Sequence, residues 1–148
     1  MKIYLKVTDF DREEINPYLD INLSAETDNI IDVFFLDEWE DGLNIEGAVV
    51  QFVVKEKSTD LDSDALINLH FDDSTFPNCL SGEAAITLLK ENVTGLLGNY
   101  LYQILIKFND DVPLKVAAEG NICFKGNLWG GSTGATGSAP YTSDIYNY

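Results

Sequence analysis

The sequence predicts an all-β protein, an antiparallel β-sandwich of six or seven short strands. Several segments alternate apolar and polar residues with a period of two, which is the pattern of a half-buried strand. Turn-forming Gly, Pro, Asn and Asp residues separate these segments at regular spacing. No segment carries the apolar repeat of a long helix. Short strands separated by turns, without a helix pattern, are typical of a sandwich.

The first predicted strand covers residues 2–7, where aliphatic residues alternate with lysines and a tyrosine. We expect it to pair at the edge of a sheet or with a neighbouring subunit. The next strand, 29–36, is β-branched and aromatic and precedes a turn closed by an Asp-Gly pair. The clearest strand is 47–57, in which large apolar side chains share one face. Further strands are predicted at the following residues: 65–71, 82–88, 100–108 and 114–124.

The composition divides the chain into three parts. We interpret 1–28 as an acidic N-terminal strand and extension, 29–126 as the sandwich, and 127–148 as a tail with an aromatic tip. The tail is rich in Gly, Ser, Thr and Ala and cannot form a core of its own. It is either a disordered terminus or a segment that docks on a partner, because aromatic residues often anchor interfaces. The candidate partner-binding residues are Trp129, Tyr141, Ile145, Tyr146 and Tyr148.

Charge and hydropathy exclude several classes of partner. The chain has 148 residues, with 9 Lys and Arg against 25 Asp and Glu, and a net charge of -16 at pH 7. A field of this sign repels nucleic-acid phosphates and anionic lipid headgroups. No apolar run reaches the roughly 18–20 residues that span a bilayer, and the N-terminus lacks the apolar core of a signal peptide. We therefore expect a protein made in a cytoplasm, with no nucleic acid or membrane partner.

The sequence contains few residues that could perform catalysis. His70 is the single histidine and lies within a predicted strand, where a structural role is the simpler interpretation. Cys79 and Cys123 lack the electropositive neighbours that activate a thiol, so we expect free, buried thiols. Glycine-rich phosphate loops are absent. We therefore expect no enzyme activity and no cofactor.

One acidic string is similar to the start of a calcium-binding loop. Asp60, Asp62 and Asp64 alternate as the first ligands of such a loop do. However, Ala65 occupies the position that requires glycine, and Phe71 occupies the position of the bidentate carboxylate. We therefore interpret the string as a solvated loop and predict no metal site, although cation binding by the three carboxylates stays open.

Short motifs between about Ile30 and Gly126 carry a family resemblance. In the family pattern, a Leu-x-x-Gly-Ala turn opens a core strand, a Leu-x-x-Gly-x-Tyr-x-Tyr segment enters a long strand, and a glycine begins the last strand. The matching residues are 43–55, 82–88, 94–104 and 119–122. With them the chain resembles the small immunoglobulin-like β-sandwich modules of tailed-bacteriophage virion proteins. Leu43 lies four residues before Gly47, where the pattern has three.

The resemblance implies an immunoglobulin-like sandwich of about seven strands in a non-enzymatic virion structural protein. Such modules occur as adaptors or fibre components of the tail, the baseplate or the head fibre. The resemblance also implies other virion proteins as partners and a homo-oligomer, with a trimer expected by analogy with fibres. The location would be the virion, after synthesis in the host cytoplasm. Whether it is the head, the neck or the tail stays open.

Other functions are compatible with the residues. A module that binds a host-surface glycan could stack sugars on Trp39 and Trp129 and bind their hydroxyls with carboxylates. An enzyme would need convergent reactive groups, which the sequence lacks. An inhibitor that mimics DNA would use the acidic surface, although solubility explains the same charge.

Overall fold

A computed structural model describes residues 1–6, 19–57, 61–109 and 114–126. These residues form eight strands, one short α-helix and three 3-10 helices of three residues each, so the all-β prediction is confirmed. The strands are β1 (Lys2–Lys6), β2 (Ile21–Ser24), β3 (Asn29–Leu36), β4 (Val49–Lys55), β5 (Ile67–Asp72), β6 (Glu83–Leu88), β7 (Gly98–Lys107) and β8 (Lys115–Lys125). Helix α1 (Lys90–Val93) is a single turn. No helix in the described ranges is long and apolar enough to cross a bilayer.

The strands form two sheets. One has the order β1-β3-β6, and the other has the order β2-β8-β7-β4-β5. The prediction of a purely antiparallel structure is wrong for two strand pairs, because β1 runs parallel to β3 and β2 runs parallel to β8. A parallel pair needs a long connection, and residues 7–28 supply one between β1 and β3. The sequence analysis also omitted β2, whose alternation covers only four residues. The immunoglobulin-like topology stays a prediction.

Both sheets contribute to one hydrophobic core. Ile3 and Leu5 of β1, together with Ile21 and Leu23 of β2, are buried members of the same apolar cluster as the strands that follow. The described core therefore includes residues of β1 and β2 as well as residues of the later strands. The predicted alternation is present in two later strands: β6 buries every second residue, and the even-numbered residues 102–106 of β7 are buried. Strand β4 differs, because residues 50–54 are all buried.

A partly buried hydrogen bond connects Leu19 to the larger sheet. The Tyr102 hydroxyl donates to the Leu19 carbonyl at 2.6 Å, and the Leu19 N–H donates to the Glu119 carbonyl at 3.0 Å. Gly120 permits this approach, because a Cβ there would lie 2.3 Å from the Leu19 carbonyl oxygen. The Tyr102 ring therefore packs in the core, while its hydroxyl donates a hydrogen bond.

We predict that Tyr102→Phe lowers the free energy of unfolding by about 1–3 kcal/mol, because it leaves the Leu19 carbonyl without its donor. Tyr100→Phe is the matched control, since the Tyr100 hydroxyl donates to the Leu97 carbonyl at 3.2 Å in an exposed position. The control is expected to cost less than about 0.5 kcal/mol. Urea denaturation followed by circular dichroism measures both values. If both variants lose the same free energy of unfolding, the Tyr102–Leu19 hydrogen bond does not have the proposed structural role.

Candidate docking surface

The outer face of the three-stranded sheet carries exposed apolar side chains among charged ones such as Asp32 and Glu83. Tyr4 of β1 stacks on Phe34 of β3, with ring centroids 4.8 Å apart and an interplanar angle of 17°. Tyr4 is 58% exposed, and Ile30 is 54% exposed. Leu36 is half-buried on the same face of β3. We call Tyr4, Ile30, Phe34 and Leu36 the aromatic face.

The aromatic face follows from the composition of β3. Successive side chains of a strand point to opposite faces, and Ile31, Val33 and Phe35 fill the core. The alternate positions include Ile30 and Phe34, so β3 is largely apolar on both faces. This composition is typical of a strand that is covered on both faces. Exposed apolar patches with a polar border often mark interaction surfaces.

Charged residues border the aromatic face. Lys2 and Lys6 flank Tyr4 along β1. Lys2 lies opposite Asp32 in the strand register, and Nζ of Lys6 lies 3.5 Å from Oε2 of Glu40. An apolar centre with a charged border is the usual anatomy of a protein–protein interface.

A turn after β3 holds Trp39 next to this border. Oδ1 of Asp37 accepts hydrogen bonds from the N–H groups of Trp39 at 2.9 Å and of Asp41 at 3.0 Å. The Asp37 N–H in turn donates to the Asp41 carbonyl at 2.8 Å. Glu40, which pairs with Lys6, has a φ of 67° and completes the tight turn. Trp39 is 74% exposed on this hydrogen-bonded turn, so its ring is available to a partner.

A second candidate is an open groove of about 290 Å³ on the five-stranded sheet. Val53 and Leu101 supply apolar lining, and Lys55, Gln103 and Glu119 supply polar groups. Nε2 of Gln103 donates to Oε1 of Glu119 at 3.2 Å. Because two of its polar side chains already bind each other, the groove is a weaker candidate than the aromatic face.

Cation binding by the acidic string at residues 60–64, which the sequence left open, gains no support from the described residues. Among them, no group of three or more His, Cys, Asp or Glu side chains is placed to hold a metal ion. Asp64 is exposed at the end of a short 3-10 helix. Asp60 and the side chain of Asp62 lie outside the described residues.

The other reactive side chains are scattered over the described structure. His70 is exposed on β5. Cys79 and Cys123 are free thiols, as expected, but they are half-buried where full burial was expected. The Ser74 hydroxyl and N–H both donate to Oδ1 of Asp72, and they hold the pKa of this carboxyl below its usual value. Asp72 thereby caps a short 3-10 helix, which is a structural role.

The structure does not describe the predicted partner-binding residues. Trp129, Tyr141, Ile145, Tyr146 and Tyr148 all lie outside the described residues. Conversely, the sequence analysis did not select the aromatic face. Two signals could have found it: a tyrosine on the polar side of the first strand, and a β3 segment that is apolar at both alternating positions.

Comparisons with known proteins give structural similarity but no match in sequence. No protein-family model matches the sequence, and no curated protein matches it. Among solved structures, the fold is similar to the N-terminal domain of phage TP901-1 ORF48, with 9% sequence identity and a TM-score of 0.49. The alignment covers 84% of this chain and 99% of that domain.

Proposed function

We propose that this protein is a non-enzymatic structural component of a bacteriophage virion. In this proposal it is an adaptor or fibre module of the tail, the baseplate or the head fibre, and it oligomerises and binds other virion proteins. The aromatic face is the observation that carries the docking role. The sequence resemblance described above supports the virion assignment.

The chemistry of the aromatic face suits protein docking better than catalysis. Tyr4 and Phe34 form an exposed ring pair on a sheet, and aromatic residues are the commonest anchors of interfaces. Lys2, Lys6 and Glu40 supply charges of both signs around the rings, which favour one orientation of a partner. A sheet is also rigid, so docking costs little conformational entropy.

The virion assignment predicts where the protein is found. We expect it to co-sediment with intact phage particles through a density gradient and to be present in a fixed ratio to the major capsid protein. Mass spectrometry of the gradient fractions measures this ratio. A protein found only in the soluble fraction of the lysate would contradict the assignment.

The exposure of the Trp39 ring favours one alternative function, in which the protein binds host-surface glycans. The ring lies on a turn that also carries Glu38, Glu40 and Asp41, which could bind sugar hydroxyls. This alternative predicts a monomer whose tryptophan fluorescence changes on addition of a glycan, and a response that Trp39→Ala abolishes.

A further inference from the structure

Strand β1 presents an open backbone edge. It is the outermost strand of its sheet in the described part of the chain. The Asp32 N–H donates to the Met1 carbonyl at 2.8 Å, so the odd-numbered residues of β1 direct their backbone groups towards β3. The N–H and C=O groups of Lys2, Tyr4 and Lys6 therefore point away from β3. An edge of this kind can accept one more strand.

The side chains at this edge disfavour pairing with a second copy of β1. An antiparallel pair centred on Tyr4 would place Lys2 of one copy opposite Lys6 of the other. Like charges directly opposite each other destabilise a strand pair, and edge lysines commonly prevent self-pairing. The strand that fits must bring a carboxylate and apolar surface. Charge complementarity thus selects an acidic, aromatic segment.

Strand β3, which already pairs with β1, indicates which sequence pattern can lie beside β1. In the parallel register, Asp32 lies opposite Lys2, Phe34 lies opposite Tyr4, and Leu36 lies opposite Lys6. The pattern is Asp-x-aromatic-x-apolar, and its aromatic member forms the stacked pair of the aromatic face.

The same pattern occurs at one other place in the sequence, at Asp144, Tyr146 and Tyr148. We propose that residues 144–148 of the same chain add to the open edge of β1 as a parallel strand. Asp144 then lies beside Lys2, Tyr146 lies beside Tyr4, and Tyr148 lies beside Lys6. The aromatic row becomes Phe34, Tyr4 and Tyr146, and the open edge is closed.

The length and origin of the connecting segment support docking within one chain. Gly126 lies next to Glu26 and Leu97. Glu26 follows β2 close to the start of β3, where the Asn29 side chain donates to the Ser24 carbonyl at 2.8 Å. From there to a strand next to Lys2 is roughly 20–25 Å, from the usual strand spacing and rise per residue. A Gly- and Ser-rich chain as long as residues 127–143 would have a root-mean-square span of about 20–25 Å. When the span of a connecting segment equals the distance to its binding site, the effective concentration is in the millimolar range. Residues 144–148 of the same chain are therefore favoured over those of another copy.

Amide hydrogen exchange by NMR on the full chain tests this proposal. In the proposed pairing, the N–H groups of Tyr4 and Lys6 are protected by the added strand. The N–H groups of Ile3 and Leu5 face β3 and are protected with or without it. We expect Asp144→Lys combined with Tyr146→Asp to accelerate exchange at Tyr4 and Lys6 by about tenfold or more, and to leave Ile3 and Leu5 unchanged.

Two further variants sharpen the test. Ser138→Lys changes the net charge by about +1, as the double variant does, but it lies outside residues 144–148. It is expected to leave amide exchange at Tyr4 and Lys6 unchanged. Exchanging the charges on all three strands, in Lys2→Asp, Asp32→Lys and Asp144→Lys, is expected to retain the protection of Tyr4 and Lys6, because residue 2 then keeps an opposite charge on both sides. Equal exchange at Tyr4 and Lys6 in the wild type and the Asp144→Lys, Tyr146→Asp variant would overturn the proposal. Protection that rises with protein concentration would also overturn it, because another copy would then supply the strand.

Discussion

Replacing Gly82 with alanine is expected to destabilise the protein by about 3 kcal/mol or more, a large part of the total stability of an ordinary domain. Gly82 has a φ of +83°, and a Cβ there would lie 2.3 Å from the Phe35 carbonyl oxygen. It would also lie 2.8 Å and 2.9 Å from the carbonyl oxygen and the nitrogen of Leu43. These are backbone atoms, so they cannot move aside as a flexible side chain could.

The contact matters because it lies within a hydrogen-bonded junction. The Phe35 N–H donates to the Gly82 carbonyl at 2.8 Å, and the Leu43 N–H donates to the Phe35 carbonyl at 2.9 Å. A side chain at residue 82 would therefore separate β3 from the start of β6. Both strands belong to the sheet that carries the aromatic face.

Gly95→Ala is the matched control for this prediction. Gly95 has a φ of +86°, but a Cβ there would have no atom within 4 Å. The control therefore isolates the cost of the left-handed backbone, about 1–2 kcal/mol. Urea denaturation of both variants gives the two free energies. If Gly95→Ala costs as much as Gly82→Ala, the close backbone contact at Gly82 does not have the proposed effect.

Replacing both rings of the aromatic face in Tyr4→Glu, Phe34→Glu is expected to abolish self-association. Each ring is an interface anchor in our account, and loss of an anchor commonly costs about 2 kcal/mol or more of binding free energy. The double variant should weaken association by at least about 100-fold. The fold should survive, because Tyr4 is 58% exposed and both rings point away from the core.

Light scattering of the variant over a range of concentrations measures this effect, and thermal melting checks that it folds. Leu66→Glu provides the control: Leu66 is 41% exposed next to β5 of the other sheet. It should retain the wild-type mass. A folded double variant that also retains the wild-type mass would show that the aromatic face is not the self-association surface.

Local sequence patterns predicted most of the strands but not all of their partners. Alternation identified β6 and β7, because a strand with one buried face repeats every two residues. Strand β4 was identified too, although both of its faces are buried. The direction of β1 beside β3 depends on the long connection between them, which no local pattern encodes. The four residues of β2 are too few for an alternation to be recognised.

The candidate site was harder to predict than the fold. A strand such as β3, with Phe34 and Phe35 on opposite faces, has the composition of a fully buried strand. The sequence alone could not show that Phe34 would join Tyr4 on an outer face, because that requires the β1–β3 register. The lysines that flank Tyr4 became informative only once β1 was placed at an edge.

The most direct test of the central claim, that this protein assembles through the aromatic face and its tail, is its solution mass. Light scattering should be performed on the full chain and on a chain that ends at Lys125. Our account predicts a stable oligomer for the full chain and a monomer for the shorter chain, which lacks the strand that completes the aromatic row. Monomers in both cases, with the same melting temperature, would contradict the account and favour a monomeric glycan-binding module.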